Sequence, residues 1–350
     1  MWKSCFGLVL LGEKDSERTR YFLKAAGDLG IIVTFVQLPS FGEDFTFDFS
    51  CLENCIVKID PPESEETYID QMTPAAKRYI GFLAEIEKVK NVRTLNAPGA
   101  IAGVLDKLAC KRALEGAGLS TTPLLDETDG VGVIYSYAGL RESVLRNKIG
   151  GVFIKPRFGS GAAGVIAYRM NPRTGSEVVY TSAVMTGGRL CNTNRVHTVR
   201  SSPEIETLVN SILEQGAIVE RWIPKASIFN GGFGHGKSFD LRVVFQFGRI
   251  EFVVARQSDG PVTNLHLNND ALETGALHLE NRIIDEIGDL CRKSVALFPG
   301  LNSAGIDILL ERASLKPYII EINGQGDLIY KDIFRDNQIY KSQVEYLRSC

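Results

Sequence analysis

The chain has 350 residues, 44% of them hydrophobic and 23% charged, a balance typical of a folded globular protein with room for two or three domains. Lys and Arg number 39 against 42 Asp and Glu, a formal charge of -3. This charge argues against nucleic acid as a partner, because nucleic-acid binding needs a strong basic field. No segment reaches the roughly 20 apolar residues of a membrane span. We therefore expect a cytoplasmic protein with neither nucleic acid nor membrane as its partner.

The cysteines give no sign of a disulfide framework. There are seven, an odd number scattered along a long chain, which favours reduced thiols. Cys51 and Cys55 form a close pair, but the sequence has no second Cys/His pair with the spacing of a zinc site. We expect free thiols at both positions.

The N-terminal part of the chain predicts a parallel sheet with helical cover. A strand over 6–11, a helix over roughly 16–29 and a second strand over 31–38 form a β-α-β opening. A second helix near 74–90 precedes the stretch N-A-P-G-A at 96–100. We place a domain boundary there.

The rest of the chain changes from helical to strand-rich. Apolar residues recur at helical spacing over 101–117. Short strand-like runs separated by Gly, Pro and Asn turns then dominate 152–257, interrupted by one helix over roughly 204–215. Another helix, about 279–297, precedes a last hairpin at 304–323.

A glycine-rich loop, K-P-R-F-G-S-G-A-A-G-V at 155–165, contains the pattern G-x-G-x-x-G. Dinucleotide-binding loops run from a strand into a helix, whereas strand-like runs flank this loop on both sides. Lys155 ends the buried-looking strand 152–154. A lysine beside exposed loop N–H groups suits phosphate oxygens. The alternative is an ordinary hairpin with a surface lysine.

A second informative stretch is the hairpin G-I-D-I-L-L-E-R-A-S-L-K-P-Y-I-I-E-I-N-G at 305–324. A turn centred on Ser314 places Asp307 opposite Glu321, with Asn323 on the same face. The other face then pairs Ile306 with Ile322 and Ile308 with Ile320. Opposed carboxylates stand about 5 Å apart and repel unless a cation lies between them. Mg²⁺ is the natural cation; the alternative is a solvated hairpin end.

A strand-like run over 218–224, I-V-E-R-W-I-P, carries one acidic residue among apolar ones. Its backbone groups suit the edge of a flat heterocycle, while Glu220 would accept a hydrogen bond from an exocyclic amine. The alternative is a plain core strand.

A further hairpin over 239–257 turns near Gly248. Asp240 and Arg242 share one face of it by alternation. Arg256 joins that face only if the turn has an odd number of residues, which the sequence leaves open. Two arginines on one strand face suit phosphate or carboxylate ligands.

The order of these parts resembles the ATP-grasp superfamily, and within it the RimK-like carboxylate-amine ligases. Six motifs between residues 96 and 328 carry the resemblance. They are the D-K pair Asp106-Lys107, the G-x-x-x-P stretch Gly118 to Pro123, the loop Lys155 to Val165, the hinge Glu220-Arg221-Trp222-Ile223, the set Asp240, Arg242, Arg256, Asn264 and His266, and the hairpin residues Gly305, Asp307, Glu321 and Asn323.

The resemblance implies an α/β (α+β) ATP-grasp fold with an N-terminal Rossmann-like pre-ATP-grasp domain and two α+β subdomains that clamp ATP. The expected units are 1–96, 97–216 with the glycine-rich flap, and 217–350 with the metal site. The match has gaps: the family's proline after the hairpin asparagine is missing, and Leu267-Asn268-Asn269 stands where the family has a glycine pair after N-x-H. A glutamate substrate is therefore not carried over.

The resemblance also implies a reaction and a set of roles. A carboxylate attacks the γ-phosphate of ATP, giving an acyl phosphate and ADP, and an amine then displaces phosphate. The acceptor would be an amino acid, a peptide or a small metabolite. The alternatives are an ATP-grasp kinase and a non-catalytic ATP-binding module. The implied roles are ATP binding by Lys107, Lys155, Gly159, Ser160, Gly161, Gly164, Glu220, Arg221, Trp222 and Ile223, catalysis by Arg242 and Arg256, substrate contacts by Asp240, Asn264 and His266, and one or two Mg²⁺ ions, with Mn²⁺ as a substitute, on Asp307, Glu321 and Asn323.

Overall fold

The computed structural model describes residues 7–41, 45–62, 68–125, 134–159, 161–229, 232–233, 236–263, 270–273, 277–326 and 337–349. The strands are β1 Gly7–Gly12, β2 Val33–Gln37, β3 Cys55–Ile59, β4 Arg93–Thr94, β5 Gly151–Pro156, β6 Ile166–Met170, β7 Glu177–Thr186, β8 Arg189–Val199, β9 Ala217–Arg221, β10 Ser227–Phe229, β11 Gly232–Phe233, β12 Lys237–Gln246, β13 Arg249–Ser258, β14 Asp270–Glu273, β15 Ser303–Leu310 and β16 Pro317–Asn323. The helices are α1 Glu17–Asp28, α2 Ile69–Ile86, α3 Pro98–Leu105, α4 Lys107–Gly116, α5 Tyr137–Arg146, α6 Ser202–Glu214, α7 Asn281–Val295 and α8 Gln338–Ser349, with a short 3₁₀ helix at Phe49–Leu52.

A four-stranded parallel sheet, in the order β2-β1-β3-β4, forms the N-terminal layer. The predicted β-α-β opening is confirmed: α1 connects β1 to β2, and the Ser16 side chain caps it by accepting from the Thr19 N–H at 3.1 Å. The last helix, α8, returns to this layer, where Tyr340 and Val344 pack against the same apolar cluster as Phe22.

A five-stranded antiparallel sheet, in the order β8-β7-β6-β5-β9, forms the second layer. Helices α5 and α6 cover it with an apolar stripe that includes Leu140 and Ile212. The first turn of α2 also enters this core through Ile69 and Met72, while Phe82 from the same helix packs in the N-terminal core. One helix therefore ties the two layers together.

A seven-stranded sheet forms the third layer, in the order β11-β10-β12-β13-β14. Strand β15 pairs with β12 on the same edge as β10, beyond the short β10 pairing, and β16 pairs with β15. Helix α7 packs against it through Ile283, Ile287 and Cys291. Strand β15 is buried along its whole length, as expected for a strand flanked on both sides.

The β12–β13 hairpin resolves the position of Arg256. Phe247 and Gly248 form a two-residue turn with positive φ at both residues, 53° and 81°, the conformation favoured in tight hairpins. A β-bulge at Glu251 then adds one residue to β13 and brings Arg256 opposite Asp240. Arg256 therefore joins the face of Asp240, with the extra residue supplied by the bulge and not by the turn.

Two predicted helices differ from the structure. The helix expected over 101–117 is two helices, α3 and α4, because Asp106 leaves the helical conformation (ψ 98°) and caps α4. The helix expected at 74–90 begins earlier, at Ile69, and contains Pro74 within its span.

The division into domains at residues 96 and 216 remains a prediction. Several contacts cross those limits: β9 pairs with β5 of the five-stranded sheet, α8 packs on the N-terminal layer, and the first turn of α2 packs on the five-stranded sheet. The five cysteines within the described ranges form no disulfide bonds. In the part of the chain that the structure describes, no helix has both the length and the apolar character needed to span a bilayer.

Candidate functional site

A cleft lies between the five-stranded and the seven-stranded sheets. Ten of its 26 lining residues are charged, and cations outnumber carboxylates among them. The cations are Lys107, Lys155, Arg221, Lys225, Arg242 and Arg256, and the carboxylates are Glu220, Asp240, Asp307 and Glu321. Six positive charges against four negative ones leave a surplus of two, so the cleft favours an anionic ligand.

The segment 120–124 joins the two walls of this cleft. Thr121 pairs with Ile319 of β16, and Leu124 pairs with Glu220 of β9. The segment that contains the end of the G-x-x-x-P stretch thus connects the hinge strand to the carboxylate hairpin by backbone pairing with both.

The glycine-rich loop connects β5 to β6, which pair antiparallel, so the predicted strand-loop-strand arrangement is confirmed. Gly159, Gly161 and Gly164 all have positive φ, 127°, 66° and 68°, conformations that side chains rarely adopt. Gly159 and Gly161 line the cleft. Gly164 instead packs behind it, where an added Cβ would lie 2.8 Å from Pro156 Cγ.

Lys155 stands at the end of β5, as predicted, and contacts the predicted adenine-binding residue. Its Nζ donates to Glu220 Oε2 at 2.7 Å, and Thr122 Oγ1 donates to the same oxygen at 2.8 Å. Glu220 is 1% exposed, and its other oxygen, Oε1, has no hydrogen-bond partner among the described residues. Oε1 lies 3.3 Å from the buried ammonium of Lys111, so two lysines balance the charge of Glu220.

The hinge after β9 presents its residues unequally. Arg221 and Ile223 line the cleft, and the N–H of Ile223 has no partner within the described part of the chain. Trp222 does not line the cleft: its ring packs on Phe153, with centroids 4.8 Å apart, and lies 4.6 Å from the Arg169 guanidinium. The Trp222 side chain therefore packs away from the cleft, and its N–H donates to the Gly151 carbonyl at 3.1 Å.

Lys107 stands between the glycine loop and the carboxylate hairpin. Its Nζ donates to the carbonyl of Gly159 and lies 3.2 Å from Glu321 Oε1. Asp106, which caps the same helix, accepts from Arg157 Nε at 2.8 Å and Nη2 at 2.5 Å. The helix break at Asp106 thus directs Lys107 into the cleft.

The carboxylate hairpin has the predicted register at its cleft end. Gly305 pairs with Asn323, Ile306 with Ile322 and Asp307 with Glu321. The predicted pairing of Ile308 with Ile320 is wrong: a β-bulge makes Ile320 the extra residue, and Ile308 pairs with Ile319. Bulges re-aim side chains, and here Ile319 stays fully buried while Ile320 joins Glu321 in the cleft lining.

Two arginines surround Asp307. Arg242 Nε lies 2.9 Å from Oδ1 and Arg256 Nη2 lies 3.2 Å from Oδ2, yet Oδ1 has no hydrogen bond of good geometry within the described ranges. The Asn323 amide spans the gap to Glu321: in the orientation that satisfies both neighbours, its nitrogen lies 3.3 Å from Glu321 Oε1 and its oxygen 3.2 Å from Arg242 Nη1. The predicted catalytic and metal-binding side chains therefore meet.

Burial raises the pKa of Asp307 above its ordinary value. Arg242 and Arg256 act against this shift, but the nearby charges of Asp240 and Glu321 reinforce it. Asp307 is thus a carboxylate whose protein cations leave its charge incompletely compensated.

Asp240, a predicted substrate contact, is fully engaged by protein donors. Arg256 Nε donates to its Oδ1 at 2.6 Å, while Lys225 Nζ, at 3.2 Å, and the Thr263 hydroxyl both meet Oδ2. Asp240 therefore orients Arg256 and Lys225, and a substrate would have to displace one of these partners to reach it. The other predicted substrate contacts, Asn264 and His266, lie outside the described residues, as does Ser160 of the loop.

Sequence reasoning missed two lysines at this site. Lys225 lines the cleft two residues after the hinge. Lys111 lies behind Glu220, one helical turn after Lys107, between the buried Cys110 and Leu114. A lysine on an apolar helix face was the available signal, because lysine is almost never fully buried without a partner.

The oxygen donors of the hairpin fit a small divalent cation. No group of three or more His, Cys, Asp or Glu side chains suited to a metal occurs in the described portion of the chain. Asp307, Glu321 and the Asn323 amide offer oxygen atoms instead, and the Asp307 Oδ1 atom is buried without a hydrogen bond to the described residues. Mg²⁺ is commonly held by one or two carboxylates together with substrate phosphates.

Comparison with known proteins gives a fold but no sequence relative. No protein-family model matches the chain, and no curated protein matches it in sequence. The ATP-grasp ligase PsnB, solved with a minimal precursor, Mg and ADP, aligns with a TM-score of 0.57 and 12% identity over 100% of this chain and 98% of that one. The macrocyclase MdnC bound with precursor peptide MdnA, from Microcystis aeruginosa, aligns with a TM-score of 0.58 and 12% identity over 98% and 100%.

The D-alanine–D-alanine ligase from Bacillus anthracis aligns over 99% of this chain and 97% of that one, with a TM-score of 0.53 and 10% identity. At such identity the similarity concerns the fold. The alignments nevertheless cover nearly the whole length of each chain, with all three layers included. This mixed α/β chain therefore has the ATP-grasp ligase fold that its motifs predicted.

Proposed function

We propose that the protein is an ATP-dependent carboxylate-amine ligase, RimK-like in kind, that forms an amide through an acyl phosphate and releases ADP and phosphate. The observation that carries the proposal is one cleft in which lysines and arginines surround two carboxylates opposed on β15 and β16. Phosphoryl transfer depends on positioning and charge neutralisation, and this cleft offers both.

The base of ATP would lie at the hinge. Glu220 is the carboxylate of the cleft lining on this wall, and the Ile223 N–H has no partner among the described residues. An adenine edge offers the complementary pair, a donating 6-amino group beside the accepting N1. Hydrogen-bonded recognition of this kind strongly disfavours an analogue that lacks the matching group.

The phosphates would lie along the cations of the cleft. Lys107 and Lys155 flank the glycine loop, whose N–H groups and flexible backbone suit a flap that excludes water from the reaction. Arg242 and Arg256 would stabilise the charge that develops during transfer. Asp307, Glu321 and Asn323 would hold one or two Mg²⁺ ions, with Mn²⁺ as a substitute, which would neutralise and orient the phosphates.

The acid and the amine would meet at the γ-phosphate end, where Arg256, Lys225 and Asp240 converge. Among the structural neighbours, PsnB and MdnC were solved with precursor peptides and another joins D-alanine residues. We propose an amino acid, a peptide or a small metabolite as acceptor in a cytoplasmic reaction. Asn264 and His266 are proposed to border that pocket.

Trapping with hydroxylamine tests the reaction class. Purified protein is screened with carboxylic acids, Mg²⁺ and ATP for ADP release, and hydroxylamine is then added in place of the amine. A ligase yields the hydroxamate of the activated acid, because hydroxylamine attacks the acyl phosphate carbonyl and releases phosphate. The control is the same mixture with the Asp307→Asn variant.

The rival functions give different products. A kinase would yield a stable phosphorylated compound and no hydroxamate, and a binding module would release no ADP at all. ADP release that is stimulated by an acid, with a phosphorylated product and no hydroxamate, would replace the ligase with a kinase.

A further inference from the structure

Strand β7 leaves its regular pairing with β8 at Ser182. The ladder is regular up to Thr181 and resumes at Ala183, and between them Ser182 lies opposite the longer stretch 193–196 of β8. Side chains of successive strand residues normally point to opposite faces of a sheet. An irregularity of this kind breaks the alternation and re-aims side chains. The hydroxyls of Thr181 and Ser182 can therefore reach the same neighbouring segment.

Both hydroxyls bind the glycine-rich loop. Ser182 Oγ donates to the Ala162 carbonyl at 2.9 Å, and Thr181 Oγ1 donates to the Val165 carbonyl at 2.8 Å. The Val165 N–H donates to the same Ala162 carbonyl at 3.2 Å. Ser182 is 2% exposed, so water does not compete for its hydrogen bond. The Ala162 carbonyl is thus held by two protein donors.

Ala162 has a backbone conformation that is unfavourable for alanine. Among the described residues of the loop, it is the one residue other than glycine with a positive φ, 64°. Its methyl group packs against the apolar cluster of Ala167 and Val262, a contact that glycine would lack. A strained conformation persists only where the surrounding contacts hold it, and the Ser182 hydrogen bond is one of those contacts.

The orientation of this peptide decides where the next N–H points. In a trans peptide the C=O and N–H bonds point in opposite directions. Because the Ala162 carbonyl points at β7, the N–H of Ala163 points away from β7. Ala163 lines the cleft, and its N–H has no partner in the part of the chain that the structure describes. An N–H in this position suits a phosphate oxygen.

We propose that Ser182 is a positioning residue for phosphoryl transfer, whose hydroxyl holds the peptide between Ala162 and Ala163 so that the Ala163 N–H faces the transferred phosphate. This inference rests on the proposed function. Donors that are fixed before the reaction stabilise the developing charge without reorganisation. Ser182 acts through the loop, since it lies outside the cleft lining.

Hydrogen–deuterium exchange of the full protein tests the effect on the loop. Ser182→Ala should speed amide exchange over 161–165 by about tenfold or more, because Ala162 then leaves its left-handed conformation. In an Ala162→Gly background the same change should have less than about a threefold effect, since glycine adopts a positive φ at little cost. Ser176→Ala is the matched control, because this exposed serine just before β7 bonds Thr174 and not the loop. It should leave exchange unchanged.

Kinetics with Mg²⁺, ATP and an acid that gives a hydroxamate test the effect on transfer. Ser182→Ala should slow single-turnover ADP formation by about tenfold, because the Ala163 N–H acts mainly on charge that develops during transfer. The ATP dissociation constant should stay within about threefold of the wild type. A serine with only a structural role would lower the melting temperature without this split between rate and affinity. If Ser182→Ala fails to fold, Ser182→Cys, whose thiol is a weak donor, replaces it.

Three results would overturn the inference and leave the ligase proposal standing. They are unchanged loop exchange in the folded Ser182 variant, an unchanged rate of ADP formation, and an equal effect of Ser182→Ala with and without Ala162→Gly. Failure of the wild type to release ADP with every acid would contradict the proposed function itself, and the inference with it.

Discussion

Two buried carboxylates on opposite walls of the cleft each lie beside two cations, yet their pKa values are shifted in opposite directions. Glu220, on the five-stranded sheet, lies 2.7 Å from the Lys155 ammonium and 3.3 Å from that of Lys111. Asp307, on the seven-stranded sheet, lies 2.9 Å from Arg242 and 3.2 Å from Arg256. The pKa of Glu220 is nevertheless lowered and that of Asp307 raised.

The difference comes from the neighbouring negative charges. Asp307 faces Glu321 across the hairpin and shares Arg256 with Asp240, whereas the charges that act most strongly on Glu220 are its two lysines. On the hinge wall the two lysines therefore balance the charge of Glu220 and keep it ionised as a hydrogen-bond acceptor. On the hairpin wall the pKa of Asp307 stays raised despite its two arginines, and a divalent cation would compensate the remaining negative charge.

The largest expected effect is the loss of turnover when a carboxylate of the hairpin wall is replaced. Asp307→Asn and Glu321→Gln should each reduce turnover by about 10³-fold or more, because each removes a proposed metal ligand. Melting temperatures should stay within about 5 °C of the wild type, since each change also relieves carboxylate repulsion. ADP-release assays and thermal melts measure the two quantities.

Glu286→Gln, on the exposed face of α7, is the matched control and should leave turnover unchanged. Activity above about a tenth of wild type in both hairpin variants would remove the metal assignment, on the scale of catalytic losses expected for such groups.

The next effect separates positioning from transfer on the same wall. Arg242→Ala and Arg256→Ala should each lower hydroxamate yield by about 10²-fold, as expected for lost electrostatic stabilisers of developing charge. Asp240→Asn should cost less, because it loosens Arg256 without removing it. A larger loss from Asp240→Asn than from Arg256→Ala would mean that Asp240 itself contacts substrate.

The hinge wall is tested by nucleotide affinity. Lys155→Ala should weaken ATP binding by about tenfold or more, because it removes both a phosphate cation and a partner of Glu220. Equilibrium titration with ATP and Mg²⁺ provides the measurement. Unchanged affinity would place the phosphate clamp elsewhere.

The smallest effect concerns the loop between the walls. Gly161→Val should slow single-turnover chemistry by about tenfold while changing ATP affinity little, because a β-branched residue is strained at φ 66° and stiffens the flap. A variant that loses affinity and keeps its rate would show that the loop mainly binds and does not close.

The sequence predicted the elements whose periodicity is regular and missed the local irregularities that aim side chains. The β-α-β opening followed from alternation. The Asp307–Glu321 pairing is as predicted only because the bulge at Ile320 offsets a turn that pairs Leu310 with Pro317, one residue away from the register of a turn centred on Ser314. The two bulges themselves were not predicted, since an extra residue such as Ile320 or Glu251 leaves no mark in a pattern of apolar residues.

The residues of the candidate site were also only partly predicted from the sequence. Glycines and acidic residues on apolar strands stand out in a sequence, and Gly159, Gly161, Asp307 and Glu321 do line the cleft. Lys111 did not stand out because partners such as Glu220 and Ile319 are far from it in sequence and meet it only in the folded chain. Long-range ion pairs of this kind are set by tertiary packing.

Activation of the acid as an acyl phosphate is tested most directly by following one carboxylate oxygen atom into phosphate. The acid that stimulates ADP release is labelled with ¹⁸O in its carboxylate, the amine is supplied, and the released phosphate is analysed by mass spectrometry. If the γ-phosphoryl group is transferred to the carboxylate, one ¹⁸O atom leaves with phosphate when the amine attacks the acyl carbon. We therefore expect phosphate that carries one ¹⁸O atom. Unlabelled phosphate, or release of AMP in place of ADP, would contradict it.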